Sequence, residues 1–176
     1  MTPLELIASL RATRHFTADP VAAGQLRAVL EAARWTGSAR NRQPWRFVVV
    51  RDPALLGRLS RLGAYAGHLA GAPLAILLAV DATLSTQDAE FDAGRAAQNL
   101  MLAAHALGLG TCPASFFPAA NAGTATELAG LPAPWRVRTA ISLGHPAPAP
   151  PGASAIARGR HPLDVLVIEH PPRPAR

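Results

Sequence analysis

The sequence predicts a single domain that mixes helices and strands, and three observations lead there. The chain has 176 residues, enough for one domain with a real core and too few for two comfortable ones. Some apolar residues recur at helical spacing, as in Leu26, Val29, Leu30 and Ala33. Others form short runs such as Phe47-Val48-Val49-Val50 and Pro73 to Val80, which read as strands. In chain order the pattern gives helix, helix, strand, helix, strand, long helix, strand, short helix, strand and tail, with no internal repeat.

Thr2-Pro3 supplies a cap and an N1 proline. The first helix follows over residues 3–12 with Leu4, Ile7 and Ala8. The second runs from about Val21 to Trp35. Asp52-Pro53 opens a short helix carrying Leu55, Leu56, Leu59 and Leu62. Pro73 to Val80 is continuously apolar, as expected at the centre of a sheet. Residues 88–107 form the longest helical pattern, with Leu100, Met101, Ala104 and Leu107 on one face and alanines 96, 97, 103 and 106 elsewhere. A helix so apolar is expected to be buried on most sides, in a core or a subunit interface. Gly108 and Gly110 end it. Arg136 to Leu143 is the last strand of the sheet, closed by Gly144-His145-Pro146. Pro146 to Pro151 reads as an extended connector, and Leu163 to Ile168 as a further strand-like run.

Composition narrows the function. All 17 basic residues are arginine and the formal net charge is +6. The arginines are scattered, and none of them forms a dense stretch interleaved with aromatics, so nucleic-acid binding is not expected. The longest apolar stretch is far short of the ~20 residues a membrane helix needs. No signal-peptide pattern is present, because Glu5 and Arg11 interrupt any apolar core. Cys112 is the one cysteine, which suits a reducing cytoplasm, and it reads as a small strand residue rather than a nucleophile. The histidines lack metal-ligand spacing, so no metal is expected. There is neither a Gly-x-Gly-x-x-Gly turn nor a Walker loop, and a separate dinucleotide fold is not indicated.

Three constellations remain. The loop Ser38-Ala39-Arg40-Asn41-Arg42-Gln43-Pro44-Trp45 joins the second helix to a strand. It carries three uncharged hydrogen-bonding side chains, Ser38, Asn41 and Gln43, which suit a neutral, edge-rich heterocycle better than a phosphate or a metal. Arg11 and Arg14 form one basic pair, and Arg158 and Arg160 around Gly159 form another; alternating residues of an extended segment could converge on one anion. Gly108-Leu109-Gly110-Thr111-Cys112-Pro113-Ala114-Ser115-Phe116 leaves the long helix as a strand. Asp92 reads either as a partner for the N-terminal end of the helix dipole or as a hydrogen-bond acceptor for a ligand.

The order Ser-x-x-Asn-x-Gln-Pro-Trp resembles the signature loop of the nitroreductase family, FMN-dependent oxidoreductases that work as homodimers. Leu10-Arg11-Ala12-Thr13-Arg14-His15-Phe16 is similar to the family's N-terminal arginine turn, with Leu10 in place of its first arginine and Ala12 in place of a serine. Arg158-Gly159-Arg160-His161-Pro162-Leu163 is similar to its C-terminal basic element. The resemblance runs from about Leu4 to Ile168. It implies an α+β fold, a three-layer sandwich whose mixed, mostly antiparallel sheet is flanked by helices.

The resemblance also implies a site. Arg11, Arg158 and Arg160 would grip the FMN phosphate, and Arg14 would reach the pyrimidine end of the flavin, where a cation stabilises the reduced ring. Ala12 would lie beside them. Ser38, Ala39, Asn41 and Gln43 would come from the partner chain. Pro113 and Ala114 would lead to backbone N–H groups of Ser115 and Phe116 aimed at flavin N5 and O4. Asp92 would be an acceptor for flavin N3–H, and His68 falls where some relatives place a basic group. Two chains would pair through the long helix, residues 158–176 of each crossing to its partner. Hydride would pass from NADH or NADPH to N5 and on to a small-molecule electron acceptor, a nitroaromatic or quinone, in ping-pong order. The interval from Asp81 to Glu90 is short, so the pocket should be open, or completed by Phe116, Phe117 and the partner. A flavin carrier or sensor of the same fold, without turnover, is the alternative.

Overall fold

The computed structural model describes residues 1–84, 86–151 and 159–170. Helix α1 (Pro3–Ser9) opens with a reciprocal cap, in which Thr2 Oγ1 accepts from Glu5 N–H at 3.3 Å and Glu5 Oε2 accepts from Thr2 N–H at 2.8 Å. It stops three residues earlier than its periodicity predicts, because tertiary pairing captures the chain. Ala12 bridges Thr111, and Thr13 N–H donates to Thr111 O at 2.8 Å.

The remaining elements are α2 (Ala23–Arg34), β1 (Trp45–Val50), α3 (Pro53–Leu59), β2 (Leu74–Asp81), α4 (Thr86–Ala106), β3 (Gly110–Ser115), α5 (Ala119–Leu128), β4 (Trp135–Gly144) and α6 (Leu163–Leu166). Among the described residues the four strands form one sheet in the order β1-β2-β4-β3, each neighbouring pair antiparallel. Among the described residues the one parallel contact is the isolated Ala12–Thr111 bridge. The architecture is the expected α+β sandwich.

Strand β2 lies inside the sheet and is buried along nearly its whole length. Leu74, Ile76, Leu78 and Val80 pack with Val29, Ala33, Ala93, Ala97 and Leu100 of α2 and α4. Ala75, Leu77 and Ala79 pack on the other face with Leu56, Leu59, Leu69, Ala122 and Ala125. This alternation places one helical layer on each side. Truncating a side chain such as Leu77 to alanine costs about 2–5 kcal/mol on the scale of buried leucines.

Helix α4 is covered in part within one chain: Leu100 and Ala104 are buried, Met101, Leu102 and Ala103 are half-buried, and Phe91 is 68% exposed, as is Leu107 just past the helix at 42%. Helix α1 buries no residue at all. The run Leu163 to Ile168, expected as a strand, begins instead with the single turn of α6, closed by Val167 N–H donating to Leu163 O at 3.0 Å. An apolar run this short is ambiguous by periodicity, and in one chain it meets no strand to pair with. Its apolar side chains stand exposed.

Candidate functional site

The polar loop before β1 is held in an unusual conformation. A 3-10 turn spans Ala39–Asn41, and Arg40, Asn41 and Gln43 adopt φ values of 54°, 53° and 50°. Left-handed conformations at non-glycine residues cost on the order of 1–3 kcal/mol each and persist where surrounding contacts over-determine them. Those contacts are present. Ser38 Oγ accepts from Gln43 N–H at 2.8 Å, and Gln43 Nε2 donates to Asn41 Oδ1 at 3.2 Å. Below the loop, Asp92 Oδ2 accepts from Ala39 N–H at 2.8 Å, and Arg95 Nη1 donates to Gly37 O at 3.0 Å. Trp45, 4% exposed, roots the exit in the sheet. The loop is thus fixed while Asn41 and Gln43 stay exposed.

Asp92 therefore has neither role that its sequence position suggests. It sits a turn and a half inside α4, which begins at Thr86, too deep to partner the helix terminus. Its carboxylate is 4% exposed and committed to the Ala39 amide and, at 3.5 Å, to Arg95. It anchors the loop from beneath. Arg95, its co-anchor, has no sequence signature beyond its position three residues on.

A second polar region lies along the free edge of β3. The segment after α1 runs beside it, secured by the Thr13 bond to Thr111 and by Thr17 N–H donating to His145 O at 2.9 Å. Gly110 permits this approach, since a Cβ there would stand 2.5 Å from Thr13 Cγ2. The result is a groove of about 170 Å³ lined by Leu10, Arg11, Ala12, Met101, Thr111 and Pro113. Arg11 also caps α1, its Nη1 donating to Ala8 O at 2.6 Å and Leu10 O at 2.8 Å.

Strand parity decides which amides face this edge. Phe116 N–H donates to Arg138 O at 2.8 Å, inside the β3–β4 ladder. Alternation then turns Ala114 N–H toward β4 as well and turns Ser115 N–H to the free edge. Of the two amides expected to meet a flavin, Ser115 is available and Phe116 is not. The Phe116 side chain is 1% exposed and packs largely in the core, whereas Phe117 is 72% exposed. Ala114 and Cys112 are buried too, and burial pushes the Cys112 thiol pKa up, which keeps it an inert strand residue.

His68, 54 positions from Arg14 in sequence, joins this edge. Its Nδ1 lies 2.9 Å from Ser142 Oγ, whose hydroxyl donates to Cys112 O at 3.3 Å. Its Nε2 is buried without a conventional hydrogen bond. Burial and then the charge of Arg14 hold the His68 pKa below its ordinary value, while the Pro113 carbonyl pulls it back up. Arg14, His68 and Pro113 therefore share one neighbourhood. Arg160 does not join them in one chain; it is exposed, with Nη1 donating to its neighbour Gly159 O at 2.7 Å. Arg158 lies outside the described residues. Among the described residues no group of three His, Cys, Asp or Glu could hold a metal ion, and no helix is long and apolar enough to cross a membrane.

The loop and the groove occupy opposite edges of the sheet, before β1 and along β3. Three strand spacings separate them, about 14 Å. Helix α4 spans the same gap, nine residues from Asp92 under the loop to Met101 in the groove, again about 14 Å at ~1.5 Å per residue.

The family model described as Nitroreductase family matches residues 7–67 and 58–145. A candidate NADH dehydrogenase/NAD(P)H nitroreductase of Archaeoglobus fulgidus is 32% identical over 147 residues, 81% of this chain and 84% of that protein. A candidate nitroreductase of Desulfovibrio desulfuricans, solved in complex with FMN, superposes with a TM-score of 0.80 at 32% identity, over 97% of this chain and 98% of that one. An FMN-dependent nitroreductase of Clostridium difficile gives a TM-score of 0.76 at 27% identity, over 84% and 89% of the two chains. Matched along most of its length by the family pattern and by solved structures of the same fold, this chain belongs to the nitroreductase family.

Proposed function

We propose that this chain is an FMN-dependent oxidoreductase, acting as a homodimer in the cytoplasm, that takes hydride from NADH or NADPH and passes it to an electrophilic acceptor such as a nitroaromatic or quinone. The carrying observation is the pair of half-sites on opposite edges of one sheet: a rigid, neutral, hydrogen-bonding loop and a groove with a guanidinium at its rim. Neither suffices alone. A two-fold pairing sets the loop of one chain beside the groove of the other, and the unburied apolar side chains of α1 and α4 supply a surface for that pairing. The whole chain is then one domain whose C-terminal arm, with its exposed apolar run, reaches across to the partner.

The residues present fit FMN. Arg11 sits at the groove rim for a phosphate, with Arg160 of the arm as a second donor. Ala12 offers no hydroxyl, so the backbone and the guanidinia do this work. Arg14 and His68, near Pro113, would face the pyrimidine end, and Ser115 N–H is the donor left open on the edge of β3. Asn41 and Gln43 present amide edges from the partner. Bound FMN supplies hydride acceptance and release at N5, with donor and acceptor using one face in turn. Arg14 favours negative charge at the reduced ring, an electrostatic contribution made before the reaction starts. Burial holds the His68 pKa below its ordinary value, which disfavours a second positive charge beside Arg14.

The test is an absorption spectrum of purified protein followed by anaerobic NADH and, separately, NADPH. A yellow protein that bleaches with either donor and recovers with a nitroarene is the expected result. A yellow protein that no nicotinamide bleaches is a carrier, and a colourless one that binds no added FMN overturns the reading.

A further inference from the structure

A second concavity, of about 300 Å³, opens beside the exit of β3 and is lined by Phe116, Phe117, Ala119, Ala122, Arg136 and Arg138. Arg136 and Arg138 stand two apart on β4 and so share a face, and the β2–β4 register is irregular at the second of them. Leu78 pairs with Thr139 while the next residue, Ala79, pairs with Val137. Arg138 is the extra residue of a β-bulge, a device that re-aims a side chain and is frequent beside active sites. Its guanidinium makes no hydrogen bond or ion pair with any described residue. Arg136 is held only loosely, its Nη2 3.5 Å from Glu90 Oε1. Phe117 and the two alanines make the rest of the surface apolar, and the volume is the lower end of what a small ligand needs. Arg138 lies opposite Phe116 in the ladder, one residue beyond the Ser115 amide.

The geometry points to an acceptor subsite: Arg138, assisted by Arg136, holds the carboxylate of an anionic aromatic acceptor whose ring lies against Phe117. This rests on the flavoenzyme reading above and names the substrate class of that same site. Guanidinium forks match carboxylates and stay charged at any relevant pH, and a single benzene ring fits the apolar part of the concavity. The redox step balances for a nitrobenzoate. Hydride from the reduced flavin and one proton from solvent convert the nitro group to nitroso with loss of water, and the flavin returns to its oxidised form.

The experiment follows reoxidation of holoprotein reduced beforehand with dithionite, so that it does not depend on nicotinamide. The acceptors are 4-nitrobenzoate and its neutral near-isostere 4-nitrobenzamide. The expected result is a second-order rate constant about tenfold higher for the benzoate, falling as salt rises. In Arg138→Gln the benzoate-to-amide ratio drops to about one, and in Arg136→Gln it drops part of the way, with circular dichroism confirming that both variants fold. Equal constants for the two acceptors in the wild type, or an Arg138→Gln variant that keeps the ratio, would overturn the subsite. Should the protein bind no flavin, the underlying function fails but the subsite is still read directly. Calorimetric titration with 4-nitrobenzoate should then show binding that Arg138→Gln weakens about tenfold, and binding of equal strength in the variant overturns the proposal.

Discussion

Gly63 couples the stability of the fold to the candidate flavin edge, and Gly63→Ala isolates that coupling. A Cβ built at Gly63 collides with the carbonyl oxygen of Ser115 and comes to 3.3 Å from Ala66 Cβ. Neither side can give way cheaply. Phe117 N–H donates to Leu62 O at 3.1 Å, and Asn121 Nδ2 bridges Leu62 O at 3.1 Å and Phe117 O at 2.9 Å, so the two backbones are clamped together at the point of contact. The obstacle is backbone rather than a flexible side chain. Overpacking of this kind costs about 1–3 kcal/mol, which in a chain of this size lowers the melting temperature by about 2–12 °C. Relief requires the end of β3 to move, and with it the Ser115 amide. Loss of one neutral hydrogen bond, about 0.5–1.5 kcal/mol, weakens FMN roughly two- to tenfold. Thermal melts of flavin-free protein and fluorescence titration with FMN measure the two effects separately. Gly67→Ala, where a Cβ meets nothing within 4 Å, is the control and should leave both unchanged or slightly improved. If Gly63→Ala melts and binds FMN like the wild type, the reasoning fails.

Asp92→Ala removes the acceptor under Ala39 and leaves a part-buried amide unpaired, at a cost of about 1–3 kcal/mol; the loop should relax and FMN affinity should fall, and a variant with native melting temperature and affinity would show that the loop holds itself. Ile7→Glu changes a residue that is 55% exposed in one chain, so monomer stability should shift by no more than about 0.5 kcal/mol; sedimentation should nevertheless show dissociation and loss of flavin, and an intact dimer would exclude α1 from the interface. His68 sets a pH limb. Its folded pKa lies below the ordinary value, through burial first and Arg14 second, so as pH falls the unfolded chain takes the proton earlier. Stability should be level above pH ~6.5 and fall below it; melts of wild type and His68→Gln should diverge on the acid side, and parallel curves would refute the assignment.

The loop from Ser38 to Trp45 was legible because its information is local: residue types and order that survive any tertiary arrangement. The central strand was legible for the same reason, since a continuous apolar run bounded by Pro73 and Asp81 has few other uses. The depth of Asp92 within its helix is not legible, because a helical pattern does not mark its own first residue. α4 starts at Thr86, and only the packing of α2 against α4 reveals that the carboxylate lies beneath Ala39. The sequence does not reveal where the Phe116 amide points, because motif order is blind to strand parity. A shift of one residue exchanges the bonded and the free edge of a strand, and nothing in Pro113-Ala114-Ser115-Phe116 states which residue donates to β4. Arg138 was invisible for a related reason, since a bulge is a mismatch between two strands and exists in neither alone.

The same parity has a chemical consequence. Pro113 has no N–H to offer the free edge, and Thr111 is paired there with Ala12 and accepts from Thr13 N–H, so Ser115 is the backbone donor that β3 presents outward beyond that pairing. An edge strand with unpaired donors is a liability that proteins cover or shorten. Here proline interrupts it, and the Ser115 amide follows two residues after Pro113, which lines the groove and lies beside His68. A flavin ring offers acceptors at its pyrimidine and N5 edge, and in the proposed site the Ser115 amide would meet one of them while Arg14 would face another. Commitment of the Phe116 N–H to the sheet is then not a defect of the site. It fixes the end of β3 so that the Ser115 amide next to it keeps one direction.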